Sequence, residues 1–166
     1  MAIGQCKGVR IRPYQPADLG RVVELSLRAW APVHVSIREA HGADIYDALQ
    51  PDWRAKQQAD VEAVVAAPAS NVWVVDLDGA VAGFVEVRIH DDGRIGEIEM
   101  VAVDPAHQGV GVGTALTTFA LDWIRTSGIA VAMVETGADP GHAPARRTYE
   151  KAGMKLVPVA RYFKRL

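Results

Sequence analysis

Three consecutive elements between residues 95 and 127 constrain the fold more than any other part of the chain. Residues 95–103 alternate as a strand does, which predicts one face with Ile95, Glu97, Glu99, Val101 and Val103, and another with Ile98, Met100 and Ala102. A glycine-rich loop follows, and then apolar residues recur at helical spacing: Val112, Ala115, Leu116, Phe119, Ala120, Trp123 and Ile124. We therefore predict a strand, a glycine loop and a buried helix in direct succession.

The loop reads Gln108-Gly109-Val110-Gly111-Val112-Gly113. A glycine loop that opens a helix directs free N–H groups and the positive end of the helix dipole at one place, which suits a phosphate. Thr114 and Ala115 follow, so the Lys-Ser/Thr pair of a Walker loop is absent, and the glycine spacing is not that of a dinucleotide fingerprint. From these letters alone, a tight turn without a ligand is an equal alternative.

Two segments together resemble one known family. The loop follows the strand end Val101-Ala102-Val103-Asp104-Pro105, and this combination resembles the acyl-coenzyme A signature of the GNAT superfamily of N-acyltransferases. Downstream, residues 142–154 (HAPARRTYEKAGM) resemble the family's N-x-x-A-x-x-x-Y-x-x-x-G-F segment, with His142 in place of Asn and Met154 in place of Phe. The joint occurrence, in the family's order and separation, is far more specific than either segment.

The resemblance implies a fold and a co-substrate. The expected fold is α/β (mixed α+β): a mixed, mostly antiparallel sheet with helices on both faces and a parallel strand pair that splays apart. The implied co-substrate is acetyl-CoA, with its pyrophosphate on the backbone N–H groups from Gly109 to Thr114. The full set of implied contact residues is Val101, Ala102, Val103, Gln108, Gly109, Val110, Gly111, Val112, Gly113, Thr114, His142, Ala145 and Tyr149.

The same resemblance assigns catalytic roles. Tyr149 matches the family's tyrosine and is the expected general acid, although a buried core tyrosine is the alternative. Glu97 matches the base of some members and Glu135 the base of others, while a water chain is a further alternative. Glu99 shares the predicted face of Glu97, and we interpret it as a solvated strand carboxylate.

Composition excludes several classes of protein. A chain of 166 residues with net charge −2 is expected to form one domain (1–166) and offers no basic footprint for nucleic acid or an anionic membrane. The single Cys6 cannot form an internal disulfide, the five histidines lack ligand spacing, and no metal is expected. Because the start lacks a basic segment followed by an apolar run, we expect a cytoplasmic protein. The oligomeric state is left open, with a homodimer among the alternatives.

The remaining elements follow from local patterns. We predict an edge strand at 9–14, a helix from Pro16 that Pro32 interrupts, and short and longer helices at 44–49 and from Pro51 to Ala67. A hairpin turns at Asp78-Gly79 and leads into the strand at 95–103. Further elements are a parallel strand at 131–135, a helix ending at Ala152, and a last strand within 154–163 that completes the sheet.

The predicted function is transfer of an acetyl group from acetyl-CoA to a primary amine by direct attack in a ternary complex. Residues 30–53 combine aromatic side chains with carboxylates, which favours a small cationic amine held near Trp30, Tyr46 and Trp53. Two alternatives stay open: a protein or peptide N-acetyltransferase, and a catalytically silent acyl-CoA-binding module. Trp30 and Trp53 could equally be core residues on helical stripes, with the acids on a solvated face.

Overall fold

The computed structural model describes residues 9–166, so Cys6 lies outside the described residues. This part of the chain contains five strands and five α-helices. In chain order they are β1 (Val9–Pro13), α1 (Leu19–His41), α2 (Ala43–Leu49), α3 (Trp53–Ala66), β2 (Ser70–Leu77), β3 (Ala80–Ile89), β4 (Ile95–Val103), α4 (Val112–Thr126), β5 (Val131–Val134) and α5 (Ala143–Lys151).

The five strands form one sheet in the order β1-β2-β3-β4-β5. The first four pair antiparallel, and β5 pairs parallel with β4 from Ile95 opposite Val131 to Ile98 opposite Val134. The pairing ends there, whereas β4 continues to Val103. The predicted mixed sheet is confirmed, and the second half of β4 has an edge that β5 does not cover.

Helices cover both faces of the sheet. On one face α4 packs Val112, Leu116, Ala120 and Ile124 against apolar strand residues that include Val85, Val87 and Ile98. On the other face Val22 and Leu25 of α1 and Val61 of α3 pack against Val74 and Phe84. The four α4 residues belong to the apolar stripe that the sequence predicts, and burial of apolar side chains on both faces fixes the two helical layers.

A β-bulge in β4 changes the predicted faces. Met100 pairs with Glu86 and Ile98 pairs with Val87, which leaves Glu99 as an extra residue between them. Ile98, Val101 and Val103 therefore pack on the α4 face, while Met100 and Ala102 pack on the face of α1 and α3. The prediction that Val101 and Val103 share a face with Glu97 was wrong, because strict alternation does not allow for an extra residue.

Two further predictions were wrong. Pro32 does not end α1, which continues to His41. The second half of this helix has external support, because Ser36 accepts a hydrogen bond from the Gly141 N–H and Arg38 pairs with Asp47. Residues 154–166 form no strand; Pro158 lacks the N–H that a ladder needs, and the segment is tied by Arg161 to Glu135 and by Arg165 to the Asp44 carbonyl.

The other local predictions are confirmed, including the Asp78-Gly79 hairpin turn, the short α2, the start of α3 after Asp52, and the end of α5 just before Gly153. Asp52 caps α3 by accepting the Ala55 N–H. No helix within residues 9–166 is long and apolar enough to cross a membrane.

Candidate active site

The glycine loop presents its backbone to solvent at the N-terminus of α4. Gly109 and Gly111 have φ of +78° and +95°, a region that favours glycine, and Gly111 is the N-cap of the helix. The helical ladder begins with the Ala115 N–H donating to the Gly111 carbonyl. The N–H groups of Val112, Gly113 and Thr114 precede that ladder, so they are available to an anion.

The space around the loop suits a ligand that approaches the main chain. A Cβ atom added at Gly109 or Gly111 would meet no protein atom within 4 Å. Val110 is exposed, and Val112 is buried at the start of the helix. The buried Val112 side chain thus anchors the loop to the core, while the loop's outer surface stays open to solvent.

Gln108 stabilises the start of the loop through its side chain. Its Nε2 donates to the Val103 carbonyl at 3.0 Å, so the amide folds back onto the end of β4. This contact occupies the carbonyl of Val103, one of the residues that the resemblance assigns to co-substrate binding. Val101 and Ala102 lie on the same strand beyond the last pairing with β5.

Asp104 anchors the loop and was missed as a functional residue. It is fully buried and accepts hydrogen bonds from Arg21 at 2.6 Å, Arg28 at 2.9 Å and the Ala106 N–H at 2.8 Å. Burial opposes its ionisation, but the Ala106 N–H, Arg28 and Arg21 together hold the Asp104 pKa below its ordinary value. The available signal is Asp104-Pro105, the strand end within the acyl-coenzyme A signature, to whose aspartate the sequence assigns no role of its own.

Tyr149 lies on the inner side of α5. Its side chain is buried, and burial raises the pKa of the phenol to about 12. The hydroxyl therefore stays protonated at neutral pH and can donate a hydrogen bond. Ala145 lies one turn earlier on the same helix face.

Glu97 and Glu99 lie on the face of the sheet covered by α1 and α3, and each has a basic partner. The Glu97 carboxylate lies 2.7 Å from His90 Nε2, and the Glu99 carboxylate lies 2.8 Å from an Arg88 nitrogen. Both acidic side chains keep part of their surface exposed. Glu99, interpreted from sequence as a solvated carboxylate, is an exposed residue that also forms an ion pair with Arg88.

Glu86 is the third carboxylate on this face, and the sequence reasoning missed it. It alternates with Val85 and Val87, which pack under α4, so its side chain points to the opposite face. It is fully buried, and neither of its oxygens has a hydrogen-bond partner among the described residues. Burial raises the pKa of this carboxyl group to about 7.

Glu135 and His142 flank the end of β5. Glu135 is exposed and accepts a hydrogen bond from Arg161 at 2.7 Å. His142 is mostly buried at the N-cap of α5, where its Nδ1 lies 2.5 Å from Asp139 Oδ1. Burial opposes ionisation of Asp139, but Ser36 and His142 hold its pKa below the ordinary value. The loop before α5 is therefore tightly bonded.

An aromatic groove lies between α1, α2 and α3. It has a volume of about 420 Å³ and is lined by Tyr46, Trp53, His34, Arg38 and Arg54 together with apolar residues of α1. His34 stacks on Trp53 at 4.2 Å between ring centroids and bonds to the Tyr46 hydroxyl at 2.9 Å. Burial lowers the His34 pKa, and nearby His142 and Arg54 lower it further.

The structure separates the three predicted acceptor residues. Tyr46 and Trp53 line the groove, whereas Trp30 packs against the core cluster beneath α1. The acids of residues 30–53 do not line the groove: Asp47 is paired with Arg38, and Asp52 caps α3. Within residues 9–166, no three His, Cys, Asp or Glu side chains are grouped as a metal site would need.

Comparison with known proteins assigns the class. The sequence model of the Acetyltransferase (GNAT) family matches residues 42–154. The mycothiol acetyltransferase of Sanguibacter keddieii is 31% identical over 160 residues, which is 92% of this chain and 45% of that protein. The mycothiol acetyltransferase of Beutenbergia cavernae is 40% identical over 92 residues, which is 54% of this chain and 30% of that protein.

Solved structures share the fold. The aminoglycoside N-acetyltransferase AAC(6')-Iy in complex with CoA has a TM-score of 0.66 at 15% identity, with 99% of both chains covered. The PaiA N-acetyltransferase of Thermoplasma acidophilum in complex with coenzyme A has a TM-score of 0.67 at 15% identity, with 92% of both chains covered. These likenesses concern the fold.

The chain belongs to the GNAT family of acetyltransferases, because the family model covers most of its length, both motifs included. The chain spans about half the length of the first relatives that it matches, 45% for the S. keddieii protein.

Proposed function

We propose that this chain transfers an acetyl group from acetyl-CoA to the primary amine of a small molecule in one direct step. The observation that carries the proposal is the glycine loop at the N-terminus of α4, where open space lies above free N–H groups. Membership of an acetyltransferase family supports the same reaction. The mycothiol and aminoglycoside acetyltransferases among its relatives are named for small-molecule acceptors.

Acetyl-CoA fits the residues that the structure brings together. Its pyrophosphate would lie on the N–H groups between Gly109 and Thr114, where the loop offers no side-chain obstacle. Its pantetheine arm would pair with the uncovered edge of β4 beyond Ile98, beside Val101. Acetyl-CoA supplies the activated acyl group, and the protein supplies its orientation.

Two groups of the chain would assist the transfer, one as a proton acceptor and one as a hydrogen-bond donor. The acceptor must attack as a free amine, so a carboxylate such as Glu97 would take its proton, with His90 orienting that carboxylate. Tyr149 would donate a hydrogen bond to the departing sulfur, because its phenol is protonated at neutral pH. Since a thiol has a reference pKa of about 8.5, Tyr149 would act by stabilising the developing thiolate.

Recognition of a cationic amine would come from the carboxylate face of β3 and β4. The aromatic groove carries Arg38 and Arg54, and Arg54 lies over the Trp53 ring at 4.4 Å from its centroid. These cations do not favour a second positive charge. Glu97 and Glu99 instead offer partly exposed acidic groups on the sheet, so the acceptor's ammonium would lie there.

The direct test is acetyl-CoA turnover against a panel of primary amines, each matched with its tertiary N,N-dimethyl analogue. Release of free coenzyme A should accompany formation of an N-acetyl product, and the tertiary analogues should give none, because they cannot form a stable amide. Tight binding of acetyl-CoA without turnover of any primary amine would favour the silent binding module instead. Acetylation of peptides alone would redirect the acceptor proposal.

A further inference from the structure

Glu86 occupies a position that an apolar side chain would fill at lower cost. It lies in the middle of β3, opposite Val72 of β2 and Met100 of β4, and none of its surface is exposed. A buried carboxylate without a hydrogen-bond partner is costly unless it is neutral or meets a cation. Packing of the core therefore does not explain why a carboxyl group stands at position 86.

Polar groups surround Glu86 from several elements, and four atoms there are incompletely bonded. The Ser70 hydroxyl of β2 faces the carboxyl group and favours its ionised form, although no hydrogen bond of regular geometry joins them. Arg88 Nε on β3 also lacks a partner among the described residues. From α1, this face receives apolar residues such as Val22 and Leu25. The region is therefore polar beneath an apolar layer.

The charges on this face are unevenly compensated. Glu97 is paired with His90 and Glu99 with Arg88, so two carboxylates have two basic partners. Glu86 is the third acid and has none. Both neighbouring carboxylates disfavour its ionisation and Arg88 favours it, while burial is the largest influence. Its proton thus responds to any charge that is added to the face.

We propose that Glu86 is a charge-compensating positioning residue, which holds a proton while the acceptor site is empty and releases it to solvent when an ammonium group binds beside Glu97 and Glu99. The carboxylic acid becomes a carboxylate, the proton passes to buffer, and the face gains one negative charge to match the ligand's positive charge. This proposal rests on the proposed function, since it names a cationic amine as the acceptor class. Binding of a cationic amine would then release a proton from Glu86, and the site would bind such an amine in preference to a neutral molecule of the same shape.

The measurement is calorimetric titration of 1,4-diaminobutane into the coenzyme A-saturated protein at pH 7, in phosphate and in Tris. The difference in observed enthalpy between buffers gives the number of protons released. We expect about half a proton for the wild type, because a carboxyl group with a pKa of about 7 is half protonated at that pH. Glu86→Gln should release almost none and bind the diamine about tenfold more weakly.

Glu62→Gln is the matched control, because it removes one acidic charge from an exposed side chain of α3 outside the proposed site. It should still release protons on diamine binding. Proton release that is unchanged in Glu86→Gln would overturn the proposal, and so would a wild type that binds no diamine or binds it without proton release. The release of free coenzyme A from acetyl-CoA with other primary amines tests the proposed function separately.

A second measurement does not require the Glu86→Gln variant to fold. In carbon-13 NMR of glutamate-labelled wild type, the Glu86 carboxyl should titrate near pH 7 and shift to lower pH when the diamine is added. Ser70→Ala should raise the midpoint in the free protein, because the hydroxyl favours the ionised form. A Glu86 midpoint that the diamine leaves in place would contradict the proposal.

Discussion

Two regions next to β4 differ in the chemical groups that they offer to a ligand. Where β4 ends, the glycine loop and the start of α4 present backbone N–H groups that no side chain covers. Across the sheet, on the face of α1 and α3, Glu86, Glu97 and Glu99 present side chains whose charge depends on their partners. The first region would bind an anion through its geometry, and the second would bind a cation through its charge.

This difference explains how much of the site the sequence predicts. The loop was predictable because three glycines, a strand end and a helical stripe are local patterns, and their backbone consequences do not depend on the rest of the fold. The order of the strands and the parallel pairing of β5 followed from the same patterns with right-handed crossover.

The carboxylate face could not be predicted in this way. A bulge at Glu99 reverses the faces of the following residues, and nothing in the alternating letters marks the extra residue. The burial of Glu86 depends on how α1 and α3 close over β3, which is a tertiary property. Residues 154–166 also depend on distant contacts, and a strand-like sequence there did not produce a strand.

Asp104 connects the two regions, and its loss should have the largest effect. Asp104→Asn removes the charge that holds Arg21 and Arg28 of α1 at the end of β4, so the free energy of unfolding should fall by about 2–4 kcal/mol. The loss is limited because Arg21 and Arg28 are partly exposed and can be solvated when their partner is removed. Urea unfolding measures the change. Asp122→Asn, in an exposed pair with Arg125, should cost under about 0.5 kcal/mol.

The sign of the Asp104 pH dependence follows from its lowered pKa. The unfolded carboxyl group titrates near its ordinary value of about 3.9, above the value in the folded protein. The stabilisation from Asp104 is therefore complete above that value and is lost as pH falls through the folded pKa. A variant that differs from the wild type equally at pH 3 and at pH 7 would contradict this assignment.

Tyr149→Phe should slow the acetyl transfer step without weakening the binding of acetyl-CoA. The change removes one hydroxyl from a buried ring, so kcat should fall on the order of 10²-fold, while the affinity for acetyl-CoA stays the same. Steady-state kinetics with a good acceptor amine measures both quantities. Tyr162→Phe, at a side chain that is 92% exposed, is the control and should behave as the wild type. Equal turnover in the two variants would remove Tyr149 from the mechanism.

Gly111→Val should weaken the donor region alone. The added side chain would stand in the space where the ligand approaches, so affinity for coenzyme A should fall about tenfold or more. Gly128→Val is a matched control at the other end of α4, since Gly128 also has a positive φ, +82°, with open space around it. Both variants should lose about 1–2 kcal/mol of stability from backbone strain. If calorimetry gave the same coenzyme A affinity for both variants, the proposed binding of coenzyme A at the glycine loop would be contradicted.

Hydrogen exchange of the wild type with and without coenzyme A probes the proposed donor site itself, because it reports on backbone N–H groups one by one. Coenzyme A should slow exchange at the amides from Gly109 to Thr114, while the amides of α3 and of the Glu86 region of β3 should exchange as before. Protection of α3 or β3 with no change between Gly109 and Thr114 would contradict a donor site built from the backbone of this loop.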